Sequence, residues 1–152
     1  MTTEQNKETI RQYWAAVNSG DAKAATAFWA SRPINHGIER EHEDVEKLQE
    51  CLAMIYEHIT VHEIIAEGDW VACRITARGR HKTKPPIPFD SVIYQIGKPE
   101  GRPFAFQHIH LFRLADGKIK EHWANRDDVG AAKQLGLELV PVKIPKEPRI
   151  DI

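Results

Sequence analysis

The chain of 152 residues has only two cysteines, Cys51 and Cys73, which form neither a CxxC pair nor a metal-spaced cluster. That excludes a disulfide-stapled or zinc-ribbon fold and fits a reducing compartment. Excess charge is equally scarce. With 21 Lys and Arg against 22 Asp and Glu the formal net charge is −1, so no basic stripe is available to hold nucleic acid or an anionic membrane surface. No segment reaches the roughly 20 apolar residues needed to span a bilayer. The opening MTTEQNKETIRQYW lacks the apolar run of a signal peptide. A cytoplasmic protein that contacts neither nucleic acid nor membrane is expected. Motifs for several chemistries are also missing. There is no GxSxG and no HExxH, neither cysteine has an activating context, and "GKPEGR" lacks the Lys-Ser/Thr ending of a phosphate loop.

What is present changes period along the chain. Ile10, Tyr13, Trp14 and Val17 recur at i, i+3, i+4 and i+7, the stripe of an amphipathic helix, with Thr2 and Gln5 spaced as a capping box. Ser19-Gly20-Asp21 ends that helix and caps a second one, which carries Ala24, Ala25, Phe28 and Trp29 and stops at Pro33. A third helix is expected from about Glu41 to Glu57. Beyond residue 58 the period is 2. Strands are expected over Thr60–Glu67, Trp70–His81, Phe89–Ile96, Phe104–Leu114 and Lys118–Arg126, with Gly68-Asp69 and Asp116-Gly117 as tight turns. A short helix from Asp128 to Leu135, closed by Gly136, follows. Helices first and hairpin strands after indicate α+β architecture with an antiparallel sheet. One domain over residues 1–140 and an extended tail over 141–152 are expected. The strand from Phe104 to Leu114 is apolar on both faces, which a homodimer contact across the sheet would cover.

Histidine is abundant, with eight residues. His108 and His110 share a strand face with Phe106 and Phe112, and His81 ends the apolar face of its own strand. Imidazoles on a core-facing row are either satisfied core groups or the polar elements of a pocket. His108-x-His110 with His36, His81 or Glu121 is a weak metal pattern, and no metal is expected. Asp127 and Asp128 lie where the last strand gives way to the helix. Capping needs one aspartate. If Asp128 caps, Asp127 is free to enter a pocket, and Trp123 four residues earlier would raise its pKa toward that of a general base.

"AEGDWVACRITARGRH" (66–81) and "HIHLFRLADGKIKEHWANRDDVGAAKQLG" (108–136), with "RQYWAAVNSGD" near the start and "NHG" at 35–37, resemble the SnoaL-like polyketide cyclase family over residues 6–137. The resemblance implies an NTF2-like cone: N-terminal helices on a curved antiparallel sheet, a deep apolar pocket between them, and a dimer. It implies an intramolecular aldol ring closure without metal or cofactor, on a small hydrophobic, oxygenated substrate. The acid/base aspartate of the family matches Asp127. His36, His81, His110 and Trp123 match pocket positions, with His36 and His81 as candidate catalytic partners. His108, Trp14, Trp29 and Met54 are expected to contact substrate. The sequence departs from the family pattern at Ala124, at "YEHIT", and in a long, proline-containing segment from Lys82 to Pro103 that is expected to border the pocket mouth.

Two other functions compete. A non-catalytic domain that holds an apolar ligand would leave Asp127 structural. An epoxide hydrolase or hydratase on the same fold would need a carboxylate base for water and an acidic partner.

Overall fold

The longest period-2 segment, Trp70–His81, forms a strand over its full length, because Val71, Cys73, Ile75, Ala77, Gly79 and His81 can all be buried on one face. In the computed structural model, which describes residues 1–88 and 92–142, the order is α1 (Thr3–Ser19), α2 (Ala22–Thr26), β1 (Trp29–Asn35), β2 (Ile38–Glu39), α3 (His42–Ile55), β3 (Tyr56–Glu67), β4 (Trp70–His81), α4 (Ile93–Ile96), β5 (Arg102–Ala115), β6 (Lys118–Arg126) and α5 (Asp128–Gln134). The strands make one sheet in the order β2-β1-β6-β5-β4-β3. Every pairing is antiparallel except β1 with β6. Irregularities at Tyr56/His58, Val61/Glu63 and Arg113/Leu114 bend the long strands, and the curved, open sheet wraps its concave face around the N-terminal helices.

The helix starts follow the capping chemistry. Thr2 and Gln5 close the capping box on α1, and Asp21 accepts from Ala24 N–H at α2. The core lies between α1 and the sheet, where Ile10, Tyr13 and Trp14 meet Val71, Cys73, Ile75, Phe112 and Leu114. Trp14 donates its indole N–H to Cys73 Sγ at 3.4 Å, and burial pushes the Cys73 thiol up to about 11, so it is inert.

Two expectations are corrected. The second helix stops at Thr26, and Trp29 opens a strand instead of riding on a helix. Trp29 pairs with Ile119 of β6, and the ladder then skips to Ile34/Glu121. Pro33 falls in the skipped stretch, where its missing N–H costs no ladder bond. Pairing along β6 outweighed local helical preference. The expected strand Phe89–Ile96 is a helical turn over Ile93–Ile96, with Gly97 N–H bonded to Ile93 O; Phe89 to Ser91 lie outside the described residues, as does the tail from residue 143.

The far end of β5 outruns β6, whose last pair is His108/Arg126. There α5 takes over: Gln134 accepts from Ala105 N–H at 2.7 Å and donates to Ala105 O at 2.9 Å. Among the described residues no helix is long and apolar enough to cross a membrane.

Gly79 marks a close approach of α3 to the sheet. A Cβ there would overlap the carbonyl oxygen of Ile55 and press on Phe104. Gly79→Ala should therefore cost about 1–3 kcal/mol in urea unfolding. An unchanged midpoint would show that the α3–β3 junction is free to shift.

Candidate active site

The site is built from a hairpin. Asp116 and Gly117, with φ of 51° and 72°, make the two-residue turn in which both central residues are left-handed. The resulting register pairs Phe112 with His122, His110 with Ala124 and His108 with Arg126. His108, His110, His122 and Arg126 consequently share the concave face. Parallel to β6, β1 sets Asn35 opposite His122. His36 follows in a left-handed turn (φ 51°) and is tied down by its N–H to His122 O at 2.9 Å.

These groups wall a cavity of about 650 Å³, part of it continuous with solvent. Tyr13, Trp14 and Val17 come from α1; Val45, Leu48, Gln49 and Leu52 from α3; Trp29 and Asn35 from β1 and His36 from the turn after it; Tyr56, Ile59 and Ile75 from β3 and β4. The mix of apolar walls with a few polar groups suits a small organic molecule.

The imidazoles form a row. Asn35 Oδ1 lies 2.8 Å from His122 Nδ1, His122 Nε2 lies 2.8 Å from His110 Nδ1, and His110 Nε2 lies 3.2 Å from His108 Nδ1. His108 packs against Phe106 and Tyr56, His110 against Trp14, and His122 against Trp29. Burial first, then the neighbouring His122, His108, Arg126 and His36, push the His110 pKa well below the ordinary histidine value. His110 is therefore neutral at physiological pH. Among the described residues no three His, Cys, Asp or Glu side chains converge on a point; the histidines bond to one another instead, and Glu121 faces away on the convex side.

The structure brings His36, His108, His110, Trp14 and Trp29 to this cavity. Four other expected residues stand elsewhere. Met54 is 43% exposed; it lies half a helical turn off the Val45-Leu48-Gln49-Leu52 stripe that faces the cavity. His81 is fully buried and donates Nε2–H to Tyr94 O at 3.0 Å, anchoring α4. Trp123 has the opposite parity to His122 and projects from the convex face, where its indole donates to Glu121 Oε1 at 2.9 Å and its ring meets His36 edge-on. That bond, helped by Arg113, holds the Glu121 carboxyl below its usual range.

Asp127, not Asp128, is the N-cap of α5, accepting from Gly130 N–H at 2.9 Å. It is exposed and borders a shallow convex groove with Arg74, Gln107 and Asn125. The indole expected beside Asp127 is engaged by Glu121 instead. The cap falls to Asp127 because its backbone N–H closes the β5–β6 ladder on Gln107 O, leaving it the last non-helical residue.

His122, Asn35, Arg126 and Tyr56 were not anticipated as site residues. His122 was within reach, since the Asp116-Gly117 turn fixes the register that puts it on the face of His110. Asn35 depends on the parallel β1–β6 pairing, for which the sequence carries no local signal.

Two outcomes test this geometry. An imidazole whose folded pKa is depressed is protonated first in the unfolded chain. Its contribution is complete above about pH 6.5 and is lost as pH falls toward the folded value, at up to about 1.4 kcal/mol per pH unit. The urea midpoint should drop between pH 7 and 5, and drop less in His110→Gln. Asp127→Ala should lose about 1 kcal/mol, whereas Asp127→Asn, which keeps the cap, should lose only a few tenths; equal losses in the two would rule out the capping role.

Comparison with known proteins agrees with the fold. The sequence model of the SnoaL-like polyketide cyclases matches residues 7–135. The aklanonic acid methyl ester cyclase DauD of Streptomyces sp. (strain C5) is 27% identical over 139 residues, 85% of this chain and 80% of that protein. DnrD of Streptomyces peucetius, also an aklanonic acid methyl ester cyclase, is 35% identical over 80 residues, 52% of this chain; the aligned stretch spans about half of that protein's length, 48%. The structure of IdmH from Streptomyces antibioticus superposes with a TM-score of 0.64 at 31% identity, covering 88% of this chain and 99% of that one. TsrD from Streptomyces laurentii, at 24% identity, shares the fold with a TM-score of 0.71 over 90% of this chain and 98% of its own. The chain belongs to the SnoaL-like polyketide cyclase family.

Proposed function

We propose that this protein closes a ring by intramolecular aldol addition in an apolar, polyketide-like ester. The observation that carries the proposal is the cavity itself: aromatic and aliphatic walls enclose a hydrogen-bonded row of imidazoles and, among the described residues, one guanidinium, Arg126. A carbon acid flanked by carbonyls loses a proton to a neutral imidazole. The enolate carbon then adds to a ketone of the same molecule, and the new alkoxide takes the proton back. Product and substrate are isomers, so the balance requires no redox partner. Arg126 supplies positive charge where the enolate and alkoxide oxygens develop.

In this reading His108, at the end of the row, exchanges the proton with substrate, and Asp127 holds α5. The family resemblance favours a second assignment, in which Asp127 is the acid/base. That assignment requires the carboxylate to release Gly130 N–H and turn from the convex groove to the cavity. The exposed Ile109, Leu111 and Ile65 on the convex face support the homodimer expected through the sheet.

Aklanonic acid methyl ester, the substrate in the names of DauD and DnrD, is the first compound to assay. Conversion to a product of unchanged mass is expected. His108→Phe should lower kcat by about 10²-fold or more, while Asp127→Asn should stay within about threefold of wild type. Loss of turnover in a folded Asp127→Asn protein would return the proton transfer to the aspartate. Binding of this ester without turnover would favour a ligand carrier.

A further inference from the structure

We propose that Cys73 is a positioning residue: its sulfur holds the Trp14 indole in one orientation, and that orientation makes the α1 wall of the cavity selective for an apolar face of the substrate. The first half rests on the geometry of the contact; the second rests on the cyclase reading above.

Trp14 is carried by α1 and is only 4% exposed. Cys73 of β4 and His110 of β5 are direct cross-strand partners, so their side chains stand side by side on the concave face. The indole bridges that pair. Its N–H donates to Cys73 Sγ at 3.4 Å, and its ring meets the His110 imidazole edge-on, with centroids 4.9 Å apart and planes at 77°. Tyr13 and Phe112 pack against the same ring.

An indole has one donor and no acceptor. A half-turn about Cβ–Cγ would take the N–H off the sulfur and leave a buried donor without an acceptor, which costs more than a weak bond contributes. The thiol suits the task. Burial pushes it up to about 11, while the Trp14 N–H and the His110 backbone N–H pull the other way, so it stays protonated and brings no charge beside the imidazole. Trp14 lines the cavity and Cys73 does not. The sulfur therefore acts on the cavity through the indole. With its N–H turned to β4, the indole presents carbon to the cavity and no donor to a substrate oxygen. An aromatic or hydrocarbon face of the substrate fits against it.

Deuterium exchange of the indole N–H groups, followed in ¹H–¹⁵N spectra with Trp14→Phe for assignment, tests the first half without substrate. Trp29 is the internal control: it is 6% exposed, and its buried Nε1 has no hydrogen-bond partner among the described residues. In Cys73→Ala the Trp14 N–H should exchange about tenfold faster or more, with Trp29 unchanged. Cys73→Ser, which keeps an acceptor, should restore most of the protection. Equal acceleration at Trp14 and Trp29, no acceleration, or no rescue by serine would overturn the assignment. Should Cys73→Ala not fold, the wild type decides: slower exchange at Trp14 than at Trp29 supports the sulfur contact, and equal or faster exchange overturns it. The second half is read in turnover of aklanonic acid methyl ester. Cys73→Ala should raise KM about 2- to 12-fold, the worth of one aromatic contact, with kcat within about twofold. The same change made in Trp14→Phe should add nothing further. An unchanged KM, or a loss that adds to that of Trp14→Phe, overturns the selectivity. If the wild type binds the ester without turnover, the cyclase reading fails, Kd takes the place of KM, and the exchange result stands by itself.

Discussion

Burying three imidazoles under aromatic rings is tolerable only while the rings stay neutral and bonded to one another, and the rest of the structure follows from that requirement. An unbonded ring nitrogen in such surroundings forfeits its hydration, and a charged ring forfeits far more. The β5–β6 register meets the requirement by setting His110 diagonally across from His122, and β1 meets it by bringing Asn35 to the outer end. Trp14, Trp29, Tyr56 and Phe106 then close around the rings and keep water from competing for their protons.

The two faces of the sheet divide the work. The concave face holds aromatic, aliphatic and imidazole groups, and among the described residues that line the cavity Arg126 is the one Lys, Arg, Asp or Glu side chain. The convex face carries the salt bridges: Arg74 with Glu63 and Arg113 with Glu121. Such exposed pairs contribute little to stability individually, but they orient side chains. Glu121 holds the Trp123 indole flat beside the His36 turn, so a charged pair outside the cavity steadies a histidine that lines it.

Much of this was legible in the sequence because it is written in local patterns. The capping box at Thr2, the alternation from Trp70 to His81 and the Asp-Gly hairpin each specify their element within a few residues, and the structure reproduces their boundaries closely. The long-range features were harder. Trp29 and Pro33 read as the end of a helix because nothing nearby shows that β6, some ninety residues later, will pair with that segment. Asp127 and Asp128 differ only in which one is last outside the helix, and that is settled by a ladder bond to Gln107. His122 shows the middle case: it stands in a motif quoted for its aspartates and becomes visible only when the hairpin register is followed face by face.

The Gln134 side chain carries a last consequence. Past Arg126 the outer edge of β5 would expose Pro103, Ala105 and Gln107 to any passing strand. Gln107 O is taken by Asp127 N–H, both groups of Ala105 by the Gln134 amide, and Pro103 has no N–H to offer. The edge is finished by a side chain imitating one residue of backbone. A sheet whose neighbouring strand ends early is thus sealed, along this stretch of its rim, against self-templated growth.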